Sequence, residues 1–269
     1  MRPGHEATDG FDGMGSLEPS GRQAYDTQTT IADVRRLWKT VDRPNVMIKV
    51  PATPPSIPAI EALIAEGINI NITLMFSMAH YEAVANAYLK GIMRSPNPRR
   101  QVSVASFFIS RIDTAVDKQL DAIGTPEALA LRGKAAIASA TVVYRRFREL
   151  FHGARFTAAK SRGARVQRPL WGSTSTKNPS YPDTIYVDNL IGPETINTLP
   201  MPTLEAFRDH GKARVTLTER VQEADEVMAK LAKLGIDLSA ITEKLQVDGV
   251  AAFVDSYEKS LEALRKRMK

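Results

Sequence analysis

A (β/α) barrel is the fold this sequence predicts, and three observations predict it. Short β-rich runs alternate with helical patterns through the middle of the chain, as in a parallel sheet covered by helices. The β-rich runs are apolar on one face, and one of them is wholly polar on the other. No linker, repeat or low-complexity segment divides the 269 residues, so residues 1–269 read as a single domain.

The elements follow in order. Asp26-Thr27 has the form of a helix N-cap, after which Ile31, Val34, Leu37, Trp38 and Val41 recur at helical spacing. The run NVMIKVPAT, Asn45 to Thr53, predicts the first clear strand. A helix with Ile57, Ile60, Leu63 and Ile64 on one face comes next and stops at Gly67. ININITLMF, Ile68 to Phe76, predicts another strand, with Ser77 as the cap of the following helix. A strand is predicted over Ser103 to Ile109 and a long helical region over Pro126 to Phe151. Strand-like segments return near Val166 to Ser173 and Thr195 to Leu199, and from about Leu217 the chain is amphipathic helix. With the short segment GSLE near the start there are about six strands, where a closed barrel of this class has eight. The expected architecture is therefore a TIM-type (β/α)8 barrel lacking about its first two strand-helix units.

Charge and composition narrow the function. The net charge is +6, but the basic residues are spread out, in clusters no larger than Arg99-Arg100, Arg145-Arg146 and Arg265-Lys266-Arg267. No Arg/Lys-rich arm or aromatic-basic module is present, so a nucleic-acid partner is not expected. A basic pocket for phosphorylated metabolites explains the charge more economically. No apolar run is long enough to span a bilayer, and the N-terminus lacks the apolar core of a signal peptide. No membrane partner is expected, and the cytoplasm is the default compartment. The absence of Cys excludes disulfides, thiolate metal sites and Cys nucleophiles.

Sorting each strand into two faces isolates the candidate chemistry. Val46, Ile48 and Val50 point one way, Met47 and Lys49 the other. Lys49 thus sits in an apolar strand near its C-terminal end, where barrel active sites are built. Desolvation there favours the neutral amine, the form that attacks a carbonyl to make a Schiff base. The alternative is a lysine that snorkels to the sheet edge or pairs with a carboxylate. In the next strand Ile68, Ile70 and Ile72 form an apolar face, while Asn69, Asn71 and Thr73 form a polar one. That row reads either as a hydrated site or as a satisfied hydrogen-bond layer in the core. Upstream, Ser16 and Glu18 share a face, and Glu18 is a candidate general acid/base beside Lys49. Ser106 and Phe108 share a face of SVASFFIS; Arg111 follows just past it, its planar fork suited to phosphate. Ser173, Ser175 and Lys177 in WGSTSTKN lie after another strand, placed to complete an anion site.

These segments resemble a known family. NVMIKVPATPPSIPAIEALIAEG, continuing into ITLMFS, resembles the Schiff-base strand of the transaldolases and the strand after it. SVASFFISRID and RPLWGSTSTKNPSYPDTIYVDNLIGPETINTLP resemble the longer bacterial subfamily. The resemblance runs from about Glu6 to the C-terminus. It implies a class I aldolase-like barrel with no metal and no organic cofactor. The implied reaction moves a dihydroxyacetone unit from sedoheptulose 7-phosphate or fructose 6-phosphate to an aldose phosphate, in the non-oxidative pentose phosphate pathway.

By that resemblance Lys49 is the Schiff-base lysine, Glu18 the acid/base that works through a water, and Thr73 a hydroxyl that holds that water. Asn71 and Ser106 are implied substrate contacts, Phe108 a pocket wall and Arg111 a phosphate-binding residue. Ser175 and Lys177 fall near the second phosphate cluster. The family also begins with two further strand-helix units, whose strands carry an Asp that takes the C4-hydroxyl proton and an Asn that contacts the sugar; neither has a counterpart here. At roughly 30 residues per unit, a lysine on a fourth strand belongs near position ~100, and here it is residue 49. After Glu18 the chain reads Pro19-Ser20-Gly21, which weakens strand pairing. The expectation is thus a transaldolase with sugar phosphate substrates and impaired cleavage. The alternatives are a remnant that only binds sugar phosphates and a Schiff-base aldolase that cleaves without transfer. The resemblance suggests a monomer or dimer, and open strand edges favour association.

Overall fold

The computed structural model describes residues 1–268. Six strands, β1 (Gly15–Leu17), β2 (Val46–Pro51), β3 (Ile70–Met75), β4 (Ser103–Phe108), β5 (Arg168–Gly172) and β6 (Ile196–Asn197), form one sheet in chain order. Every neighbouring pair is parallel. The architecture is a partial (β/α)8 barrel, with the number of strands that the pattern predicts.

Helices cover the outside. α1 (Arg2–Ala7) precedes the sheet; α2 (Thr27–Val41), α3 (Ser56–Ala65) and α4 (Met78–Ile92) make the first three crossovers. α5 (Ser110–Ile123), α6 (Pro126–Leu129), α7 (Ala135–Phe151) and α8 (Thr157–Ser161) lie between β4 and β5. α9 (Ile185–Asn189) precedes β6, and α10 (Met201–His210), α11 (Val221–Lys233) and α12 (Leu238–Arg267) close the chain. Among the described residues no helix is long and apolar enough to cross a membrane.

The capping residues act as the sequence predicts. Asp26 accepts from the Thr29 N–H at 2.5 Å to start α2, and Ser77 accepts from the His80 N–H at 3.1 Å to start α4. The predicted long helix of Pro126 to Phe151 is instead two helices. The break falls at Gly133, whose φ of +70° suits glycine and whose N–H is taken by the Asp117 carboxylate at 3.0 Å. The C-terminal stretch is likewise divided, into α11 and α12.

Two apolar layers result from strand alternation. Ile48, Val50, Ile70, Ile72, Ala105 and Phe107 face outward and join the large core beneath the helices. Met47, Val102, Val104 and Leu170 form a small separate cluster inside the sheet, with Met14 and Ile196 against it. This cluster shares the inward face with polar residues: the register sets Val104 opposite Asn71 and Leu170 opposite Ser106. β3 adds one irregularity: its register with β4 shifts between Ile72 and Met75, and Leu74 absorbs the extra residue at φ +58°. A left-handed leucine costs roughly 1–2 kcal/mol, so neighbouring contacts must hold it.

Candidate active site

β1 and β2 bring the leading pair together. The register sets Leu17 opposite Ile48, so the next residues, Glu18 and Lys49, meet on the inward face. Lys49 Nζ lies 3.1 Å from Glu18 Oε2, with the two side chains 28% and 37% exposed. β1 stops at Leu17 because Pro19 cannot donate to a ladder, and Ser20 then caps a short turn over Gly21–Gln23. Thr53 and Ser56, beyond β2, both hydrogen-bond to the Ala24 carbonyl and anchor that turn. Sequence alone opposed an inward-facing lysine to a carboxylate-paired one, and in the structure Lys49 both faces inward and pairs with a carboxylate. Lys49 faces inward, in polar company, and its nitrogen contacts the one carboxylate lining its cavity among the described residues.

The polar row of β3 divides into two parts. Asn69 is structural: its amide donates to the carbonyls of Pro44 and Val46, at 3.2 and 3.1 Å, and its oxygen accepts from Val102 at 2.8 Å. It belongs to a satisfied backbone layer. Asn71, level with Lys49 in the register, accepts from Ser106 Oγ at 2.6 Å and donates to Ser16 Oγ at 3.0 Å. Thr73 is buried and lines the same cavity as Glu18 and Lys49. Thr73 thus faces the cavity, while Asn69 and Asn71 are held in satisfied hydrogen-bond layers, one to backbone and one to the Ser16 and Ser106 side chains.

Phe108 packs against Phe253, which lines that cavity. Its ring lies 5.5 Å from Phe76 and 6.5 Å from Phe253 of α12, and the Arg111 guanidinium sits 5.6 Å above it. Arg111 stands in the first turn of α5, where free N–H groups and the helix dipole favour an anion. Among the described residues it makes no ion pair within 4.0 Å. Ser173, at φ +55° just past β5, bonds Ser110 Oγ at 2.9 Å and so borders the same helix start.

Ser175 and Lys177 stand apart from the pair. Lys177 Nζ donates to Ser175 Oγ at 2.5 Å, and Lys177 lines a different cleft, with Asp113, Asp117, Asp121 and Tyr181. Asp113 in that cleft is buried, which pushes its carboxyl up to about 6. It accepts from Tyr186 at 2.9 Å and from the Ala136 N–H at 2.8 Å; Asp117, one turn on, accepts from Tyr181 at 2.7 Å. Burial and the adjacent carboxylates raise both tyrosine hydroxyls.

Sequence reasoning predicted helix over α12 but missed its place at the cavity. Its residues Val250 and Phe253 line the Lys49 cavity, and Gln246 bonds the ends of β2 and β3. The available signal was a polar residue in an apolar stripe: 246, 249, 250 and 253 share one helix face.

A parallel (β/α) sheet with an inward lysine–carboxylate pair at the C-terminal strand ends, where barrel active sites are built, has the layout of a barrel enzyme. The family model "Transaldolase/Fructose-6-phosphate aldolase" matches residues 1–264. A transaldolase of Thiobacillus denitrificans is 50% identical over 262 residues, covering 96% of this chain and 73% of the relative. Transaldolases of Parafrankia sp. and Mycolicibacterium smegmatis are 46% and 47% identical, over 100% and 96% of this chain and 74% and 71% of theirs. The chain belongs to the transaldolase/fructose-6-phosphate aldolase family.

Proposed function

We propose that the chain carries out transaldolase chemistry through a Schiff base on Lys49, with sugar phosphates as substrates. The observation that carries this reading is the 3.1 Å contact between Lys49 Nζ and Glu18 Oε2 at the C-terminal ends of β1 and β2. A proton moved from Lys49 to Glu18 leaves a neutral amine next to a carboxylic acid, the two forms that imine formation needs. The amine adds to the C2 carbonyl of the ketose. Glu18 then protonates the departing hydroxyl, which leaves as water, and the imine remains.

Breaking C3–C4 of the protonated imine sends the bonding electrons into an enamine on Lys49; the C4 hydroxyl gives its proton, through the water beside Thr73, to the Glu18 carboxylate left by the previous step, and an aldose phosphate departs. The enamine then adds to an acceptor aldehyde and hydrolysis frees the amine. In the reading proposed, the donor is sedoheptulose 7-phosphate and the acceptor glyceraldehyde 3-phosphate, giving erythrose 4-phosphate and fructose 6-phosphate. Asn71 and Ser106 hydrogen-bond the sugar hydroxyls, Thr73 holds the water next to Glu18, and Phe108 walls the chain. Arg111, which makes no ion pair among the described residues, takes a phosphate; Ser175 and Lys177 contribute a second phosphate contact from the neighbouring cleft.

Borohydride trapping tests this. With fructose 6-phosphate, the reduced adduct is expected on Lys49 by mass spectrometry and absent in Lys49→Ala. A three-carbon adduct marks cleavage, and a six-carbon adduct alone marks a chain that stops at the imine. An unmodified Lys49 defeats the reading.

A further inference from the structure

Leu74 and α12 meet at Gln246. The carbonyl of Ala52, just past β2, and that of Leu74, next to last in β3, both accept from Gln246 Nε2, each at 3.0 Å. A side-chain amide nitrogen has two protons, and these bonds use both. Gln246 is 3% exposed, so no water replaces it cheaply. One turn further, Gly249 lets α12 approach closely: a Cβ there would lie 2.9 Å from Leu74 Cδ2. Val250 and Phe253 follow on that face, over the cavity that holds Lys49, Glu18 and Thr73.

We propose that Gln246 is a positioning residue of this site: its amide holds the Leu74 bulge, thereby setting Thr73 toward Lys49 and seating α12 over the cavity. The inference rests on the Schiff-base reading of Lys49. Thr73 immediately precedes the bulged residue: the Ala52 N–H holds its carbonyl on the β2 side at 2.8 Å, and the Gln246 bond to the Leu74 carbonyl holds the peptide that follows. Leu74 occupies the left-handed region, which an L-leucine leaves unless its neighbours hold it there. β4 does not hold it, because the register skips it. The Leu74 carbonyl accepts from Gln246 Nε2 of α12.

The test measures the rate of ketose trapping on Lys49 with fructose 6-phosphate and borohydride. Gln246→Leu keeps an apolar body and removes both donors; Gln246→Glu keeps the length and, when ionised, removes them too. Trapping is expected to slow by roughly 10- to 100-fold in each, the scale of a small misplacement at a reacting centre. Because Gln246 acts through Thr73, combining either variant with Thr73→Val should slow trapping by no more than about two-fold beyond Thr73→Val alone. A folded Gln246 variant that traps at the wild-type rate overturns the proposal, as does full multiplication of the two effects. Loss of the folded state in both variants overturns it as well, since Gln246 would then hold the fold rather than the site. Failure of the wild-type protein to trap any ketose removes the Schiff-base reading itself and is distinct from these results.

Discussion

Ser106 and Asn71 are joined across β4 and β3 by a 2.6 Å hydrogen bond, and both are buried. Asn71 passes the link on to Ser16 of β1, so three strands are tied across the inward face of β2 that carries Lys49. Truncating Ser106→Ala leaves the Asn71 oxygen without its donor, which is expected to destabilise the fold by about 1–3 kcal/mol. At roughly 2–4 °C per kcal/mol, thermal melting should show a drop of several degrees. An unchanged melting temperature would show that the oxygen finds another donor.

Asp113 sets a second expectation, on stability against pH. Burial raises its carboxyl from the usual 3.8 to about 6. The folded state therefore holds this proton more tightly than the unfolded state between pH ~4 and ~6, and unfolding releases it. The sign follows: this group's contribution to stability falls as pH rises through that window and is flat above it. The loss is about 3 kcal/mol at the conversion of 1.36 kcal/mol per pH unit. Urea unfolding of the wild-type protein and Asp113→Asn at pH 4, 5, 6 and 7 should show their difference shrinking or reversing by that amount. Parallel curves would mean that Asp113 ionises in the fold at no cost.

What was legible in the sequence follows from the physics of each residue. Lys49 and Asn71 stand out because a strand alternates with a period of two, so a lone amine or amide among Ile and Val declares its face. Glu18 was legible for the same reason, although β1 is only three residues long. Asn69 lay in the same polar row, but sequence cannot tell an amide that bonds backbone from one that bonds side chains on neighbouring strands. The bulge at Leu74 was invisible, because a register slip is decided by β4 and by Gln246, which lies 172 residues away. The pairing of Asp113 with Tyr186 spans 73 residues and left no local pattern. The roof formed by Phe253 was hidden in an apolar stripe that reads like any other surface helix.

Glu18→Gln separates proton transfer from shape. Gln fills nearly the same volume and still reaches Lys49 Nζ, 3.1 Å away in the native pair, but it neither takes nor gives a proton. Trapping of fructose 6-phosphate on Lys49 should slow by about 10²–10⁴-fold, the usual contribution of a positioned acid or base. Melting should change little, because an exposed or half-exposed ion pair contributes about 0–1 kcal/mol. Equal trapping rates in the two proteins would assign the proton transfer to another group.

Arg111→Gln tests which end of the substrate the helix start of α5 recognises. Arg111 lies above Phe108 and has no carboxylate partner within 4.0 Å among the described residues, so its charge is available to a ligand. Charge-assisted hydrogen bonds contribute about 1.5–3 kcal/mol, and a tenfold change in binding corresponds to about 1.4 kcal/mol. The concentration of fructose 6-phosphate that half-saturates trapping should therefore rise by roughly 10- to 150-fold. Dihydroxyacetone, which lacks a phosphate, provides the control: its trapping on Lys49 should be the same in both proteins, because the amine, Glu18 and Thr73 are untouched. A loss shared equally by the two ketones would mean that Arg111 supports the cavity wall through Phe108 rather than binding phosphate. A phosphate-specific loss fixes the direction of the substrate, with its reactive carbonyl at Lys49 and its anionic end at the start of α5.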